Sequence, residues 1–167
     1  SAELEVDDGP GLELVRAAHR QAEDALADLR ATVRGIHPRV LTDHGLAAAV
    51  HEIADRSPVP VAVDLALPDR LPPPVENAAY FVVSEALTNI ARHARARQAA
   101  VQAWLVETDG VPELVLAVTD DGVGGADPAR GSGLTGLAAR VEALDGTLDV
   151  ASPLGGPTRV RAACPIG

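Results

Sequence analysis

Between Ser84 and Ala94 the chain reads SEALTNIARHA. Glu85 and Asn89 are four residues apart, so on a helix they stack on one face. Arg92, three beyond Asn89, shares that face, and His93, four beyond, flanks it. The row supplies a carboxylate, a neutral oxygen ligand, a fixed cation and a titratable donor. Mg²⁺ takes few protein oxygens, keeps water and completes its shell with phosphate. Asn89 suits the metal, and the planar fork of Arg92 suits phosphate oxygens. Glu85 can hold a metal-bound water or accept a proton. An ordinary solvated helix face would carry the same residue types.

Two glycine-rich stretches follow. TDDGVGG, residues 119–125, comes straight after the apolar run ELVLAV. Asp120 or Asp121 at a strand exit can accept a hydrogen bond from an exocyclic amine such as that of adenine. Gly122 and Gly124 let backbone approach a ring closely. In GSGLTGL, residues 131–137, Gly131, Gly133 and Gly136 surround Leu134 and lead into a helix, where exposed N–H groups would face anionic oxygens. Each loop alone also reads as a plain turn. The order carries more weight: polar helix, strand pair, acidic glycine loop, second glycine loop, helix, hairpin.

Other chemistries are excluded. The chain has fourteen basic residues, all Arg, and no Lys, so no glycine loop ends in the Lys-Ser or Lys-Thr of a Walker cradle. The dinucleotide fingerprint fails, because its spacing is not met after an early strand. One cysteine, Cys164, rules out both a disulfide framework and a thiolate zinc site, and is expected in the core. A net charge of −10 argues against nucleic acid and anionic lipid as partners. No apolar run approaches the ~20 residues of a membrane span. A cytoplasmic location is expected, compatible with anchoring of the full-length protein in the inner membrane.

These residues need elements to position them. The apolar fraction of 47% suffices for a core, and with 2% aromatics that core must be Leu, Val and Ala. Leu12, Val15, Ala18, Ala22, Leu26, Leu29, Val33 and Ile36 recur at spacings of three and four, predicting a helix over 11–36 that wants partner helices. Pro38 ends it. A second helix opens at 42 with Thr42 or Asp43 as N-cap, and His44 and His51 fall on its surface. Residues 59–67 alternate like a half-buried strand. Pro74 starts a helix over about 75–92. Residues 98–107 and 112–120 form two strands around a tight turn. Residues 133–146 form a helix, and 147–152 and 158–165 a closing hairpin. The fold class expected is α/β, a two-layer sandwich of mixed sheet with helices on one face.

EALTN..RHA, DDGVGG, GSGLTGLAARVEALDGTL and SPLGGPTRV resemble the nucleotide-binding boxes and closing hairpin of bacterial two-component sensor histidine kinases, in the nitrate-sensor-like branch. The resemblance covers residues 25–165. It implies the Bergerat fold, ATP and Mg²⁺ as cofactors, and transfer of the γ-phosphoryl group to a histidine for relay to a response regulator. It implies that Asn89 coordinates Mg²⁺ beside Glu85, that Arg92 and His93 contact phosphates, and that Asp120 takes the adenine amino group. Gly122 and Gly124 would shape the pocket, Gly131, Gly133, Leu134 and Gly136 would belong to the lid, and Thr158 would sit near adenine. It divides the chain into a linker (1–10), the second helix of a dimerisation hairpin (11–38) and an ATP-binding catalytic domain (39–167). A homodimer through the N-terminal helices is expected.

Three departures stand out. Arg92 replaces the usual Lys, Pro157 stands where glycine is common, and the acceptor box is missing. His19 and His37 are weak substitutes for it, so this fragment is expected not to phosphorylate itself alone. Two other readings keep the pocket: a serine kinase like those acting on anti-sigma-factor partners, and a non-catalytic nucleotide-binding dimerisation module.

Overall fold

The computed structural model describes residues 38–126 and 132–166. The expected helix over 11–36, with His19, and also His37 and Gly131, lie outside the described residues. In chain order the elements are α1 (Arg39–Asp55), β1 (Val61–Ala66), α2 (Pro73–Asn89), a π-helical turn (Ile90–Ala94), β2 (Ala99–Thr108), β3 (Val111–Asp120), α3 (Ser132–Glu142), β4 (Thr147–Ala151) and β5 (Thr158–Pro165).

The strands form one sheet in the order β1-β2-β3-β5-β4. β1 runs parallel to β2, and a parallel pair needs a long crossover, which α2 supplies. The other neighbours are antiparallel. β2 and β3 meet in a two-residue turn with Asp109 at φ 52° and Gly110 at φ 80°, the left-handed pair that matches hairpin twist. The sheet is mixed, as the residue pattern anticipated.

Strand side chains alternate between faces, and one face carries the core. Val101 and Ala103 of β2, Leu114, Leu116 and Val118 of β3, and Val160, Ala162 and Cys164 of β5 pack in one cluster with Val75, Val82, Val83, Leu87 and Val141 of the helices. Burying a Leu such as Leu114 contributes roughly 2 kcal/mol. β3 also buries Val115 and Ala117 on its other face, which is why it reads as a continuous apolar run rather than an alternating one. Cys164 is a buried free thiol whose pKa burial pushes up, so it stays protonated and unreactive. His44 and His51 are exposed.

The helix ends differ from expectation in instructive ways. α1 starts at Arg39, directly after Pro38, and no side chain caps it. Gly45 interrupts it at φ 78°, ψ −178°. A Cβ there would stand 2.8 Å from the Asp69 carbonyl oxygen, so the 67–72 connector leaves no room for a side chain at the break. α2 gives way to the π turn after Asn89 rather than running to Arg92 as α-helix.

That connector is pinned by Glu76, which is buried in the first turn of α2. Its carboxylate accepts hydrogen bonds from Arg70 Nε (3.1 Å), Arg70 Nη2 (3.0 Å) and the Leu71 N–H (3.0 Å). Arg70 also donates to the Thr42 carbonyl at 3.2 Å, tying connector, α1 and α2 together. A buried carboxylate is tolerable only with such donors. Glu76→Ala is therefore expected to lower unfolding stability by about 2 kcal/mol, read as a lower urea midpoint with an unchanged slope.

Candidate functional site

A cleft of about 350 Å³ opens between α2 with its π turn, the end of β3, the start of β5 and the first turn of α3. Its walls are apolar: Ala86, Ile90 and Ala94 on the helical side, Val118, Val150 and Val160 on the sheet. Polar groups enter at a few points only, which is the usual composition of a small-molecule site. They are Glu85, Asn89 and His93 from the helical side, and Asp120 and Thr158 from the strands.

The two adjacent aspartates have opposite surroundings. Alternation at the end of β3 turns Asp120 to the core face and Asp121 away from it. Asp120 is 4% exposed and Asp121 is exposed. Asp121 Oδ1 accepts the N–H groups of Arg97 (2.7 Å) and Gln98 (3.1 Å), and its Oδ2 lies 3.4 Å from Arg97 Nε. Those bonds hold its pKa below the ordinary carboxylate value, so it is a fixed anion anchoring the segment before β2. Asp120 is held above that value, first by burial and then by the charge of Asp121, against the Gly122 N–H that bonds Oδ1 at 2.8 Å. No buried side-chain oxygen among the described residues lacks a partner. Among the described residues no donor meets Asp120 Oδ2, and Asp120 lines the cleft.

Glycines let two loops cross at backbone distance. Gly124, at φ 63°, lies where a Cβ would collide with the Pro153 carbonyl oxygen and crowd Gly156. Gly156, at φ 75°, lies where a Cβ would collide with the Gly122 carbonyl oxygen. Gly122 itself presses on the Ala94 carbonyl, which accepts the Val123 N–H at 2.9 Å. Hydrogen bonds from Gly125 N to Ser152 O (3.1 Å) and from Gly155 N to Val123 O (2.9 Å) join the loops. Gly124 lines the cleft, whereas Gly122 is buried behind it and supports Asp120. The close approach made possible by these glycines is thus chiefly backbone to backbone.

On the helical side, Glu85 and Asn89 share the face expected of them and both line the cleft. Arg92 is exposed and outside the lining, and His93 is inside it. The π turn is the reason. In a turn closed from i to i+5, the residue four beyond Asn89 comes under it, not the residue three beyond. Gly133 and Leu134 also line the cleft, and a Cβ on Gly133 would collide with the Glu85 carboxylate. Gly136 lies about 200° around the helix from Leu134, and its α-carbon faces open space.

Gly125, Ala126 and the apolar walls are lining residues that the motif reading left out. Strand alternation marks Val118, Val150 and Val160 as facing the helices. It carries no signal for which end of that face stays open.

No family model matches the chain. It is 30% identical over 149 residues to the sensor histidine kinase YxjM of Bacillus subtilis, a match covering 87% of this chain and 36% of that protein. It is 36% identical over 150 residues to the sensor histidine kinase NarS of Mycobacterium tuberculosis, covering 83% and 34%. The chain thus spans roughly a third of the length of these curated relatives. Among solved structures, the histidine kinase domain of the Erythrobacter litoralis EL346 blue-light activated histidine kinase superposes with a TM-score of 0.55 at 28% identity, over 72% of this chain and 57% of that one. The Acinetobacter baumannii histidine kinase AdeS shares the fold, with a TM-score of 0.53 at 17% identity, over 73% and 61%. The agreement of sequence relatives with structural neighbours places this chain in the sensor histidine kinase family, matching the catalytic domain.

Proposed function

We propose that this domain binds ATP with Mg²⁺ and presents the γ-phosphoryl group to a histidine of a sensor kinase, for relay to a response regulator. The observation that carries the reading is the Asp120 carboxylate. It is buried in an apolar cleft, one of its oxygens has no donor among the described residues, and the same cleft is lined by Asn89 and Glu85. An ionised carboxylate there accepts from the adenine amino group and repels the guanine carbonyl oxygen.

The donor set fits Mg²⁺. Asn89 offers an amide oxygen and Glu85 a carboxylate one helical turn earlier. Among the described residues there is no cluster of three or more His, Cys, Asp or Glu to make an all-protein cage. Mg²⁺ is satisfied by one or two protein oxygens with water and phosphate. Bound there, it would neutralise phosphate charge. His93, which lines the cleft, would donate to phosphate oxygens, and the exposed Arg92 would add positive charge beside it. In the transfer itself, an imidazole nitrogen forms the bond to the γ-phosphorus as the bond to the bridging oxygen breaks and ADP leaves. Positioning and charge neutralisation carry most of such a reaction.

For the whole protein, the apolar stripe from Leu12 to Ile36 supports a homodimer through that segment, and the net charge of −10 supports a reading without nucleic acid. No helix among the described residues is long and apolar enough to cross a membrane. The reading puts this domain on the cytoplasmic side.

Calorimetric titration of ATP and GTP, each with and without Mg²⁺, tests the reading. ATP should bind at least tenfold more tightly than GTP, and equal affinities or no binding would defeat it. Asn89→Ala should leave Mg²⁺-free ATP binding unchanged and abolish the gain that Mg²⁺ brings. For Asp120 the sign follows from its raised pKa. Adenine binding needs the ionised form, so affinity should fall as pH drops through a value above the ~4 of an ordinary aspartate. The empty fold prefers the protonated form, so its stability should decline as pH rises through the same window. Asp120→Asn should remove both pH effects and the preference for adenine.

A further inference from the structure

The described helices pack on one face of the sheet, against Val101, Leu116 and Val160. Alternation sends a second set of side chains to the opposite face. At its middle lie Val115 and Ala117 of β3 and Ala163 of β5, which are 1%, 2% and 7% exposed. Beside this floor, on β2, stands Trp104. It is the one tryptophan of a chain with 2% aromatics, and it is only partly buried. Tryptophan is among the residues most enriched at the energetic centres of protein interfaces.

The register shows what this face complements. Trp104 is level with Val115, and Val115 with Ala163. Gln102 is level with Ala117 and Arg161, and Ala100 with Thr119 and Arg159. At each level β3 lies between one residue of β2 and one of β5. A twofold axis along β3 would lay β2 of one copy over β5 of the other, and the reverse. Trp104 would then face Ala163, Gln102 would face Arg161, and Ala100 would face Arg159. Stacked sheets pack about 10 Å apart, a gap in which a tryptophan needs a small residue opposite. Gln102 offers Arg161 an amide oxygen, the acceptor that a guanidinium needs. Five strands about 4.8 Å apart and roughly eight residues long give about 600 Å² of projected face, near the ~800 Å² per partner of a standard interface once relief is counted.

Two contacts oppose the pairing. Glu113 would lie near its own copy, although Thr108 Oγ1, which donates to it at 2.9 Å, holds it toward β2. Asp64, level with Gln102, would meet Asp149, level with Arg161, at the solvated rim. With a net charge of −10 on each chain, the association is weak and strengthened by salt.

We propose that the face of the sheet opposite the helices is an interaction surface for a second copy of this chain, with Trp104 of each copy seated on Ala163 of the other. The inference uses neither the nucleotide cleft nor the apolar stripe from Leu12 to Ile36, and it does not depend on the ATP reading.

The test follows sedimentation and Trp104 emission of the whole chain together across micromolar concentrations. Emission should move to shorter wavelength in step with an association that added salt tightens. Gln102 is exposed, so substitutions there leave the fold intact. Gln102→Glu, facing Arg161, should tighten the association about fivefold, and Gln102→Arg should weaken it as much. A general charge effect predicts the opposite order, because Gln102→Glu makes the chain more negative. Ala163→Arg should remove the emission shift. If the wild-type chain is associated at every concentration, that variant still reads the contact, as a move to longer wavelength. Association that leaves Trp104 emission unchanged and insensitive to Ala163→Arg overturns the inference, as does a reversed Gln102 order or no association at all. Short-wavelength emission from a monomer also overturns it, because the face is then covered from within the chain. Should Ala163→Arg fail to fold, the order of the Gln102 variants decides. None of these outcomes touches the ATP reading.

Discussion

A carboxylate in an apolar cleft must be matched by donors or it will give up its charge. Asp120 is in that position, with the Gly122 N–H as its one donor among the described residues and its other oxygen the proposed acceptor for a ligand. Much of the surrounding structure keeps this arrangement from collapsing. The antiparallel register of β3 with β5 sets Thr158 opposite Asp120. Gly122 brings its N–H back onto Oδ1 while pressing against the Ala94 carbonyl at the end of the π turn. The neighbouring Asp121 is committed elsewhere, bonded to Arg97 and Gln98. Two adjacent carboxylates thus differ: Asp121 is a permanent anchor and Asp120 is, in the proposed reading, the acceptor for the base.

The other half of the cleft depends on helical geometry. Asn89 is the last residue of α2, and the π turn begins directly after it. That irregularity rotates His93 inward and Arg92 outward, and it delivers the Ala94 carbonyl to the Val123 N–H. One change of helical pitch therefore links the proposed phosphate end of the site to the loop that holds Asp120. α3 is secured on α2 by Arg140, whose guanidinium stacks 4.6 Å from the centre of the Phe81 ring. The clasp at Glu76 holds the opposite end of α2 to α1 and the connector, so the helix is fixed at both ends.

Much of this was legible in the residues. The strand runs, the Asp-Gly hairpin turn, the proline start of α2 and the polar face of Glu85 and Asn89 all follow from local rules. So does the family, because several boxes in one order are far more specific than any one of them. Less legible was the purpose of the glycines. Gly122 and Gly124 are separated from Gly156 by more than thirty residues in sequence and meet it only when two loops cross. The need for glycine at the Gly45 break is hidden for the same reason, since the Asp69 carbonyl that excludes a side chain there belongs to a distant connector.

By itself the sequence determined which residue types are available and on what local period they recur. That is enough to choose helix, strand and turn, because backbone geometry repeats every few residues. It left open which of Asp120 and Asp121 faces the cleft. It set Arg92 on the face of Asn89 with His93 at its flank, whereas the cleft is lined by His93 and leaves Arg92 outside. Those matters were decided by tertiary structure alone. Each depends on where a strand ends against its neighbour or how a helix changes pitch. Such contacts join residues that no local rule relates.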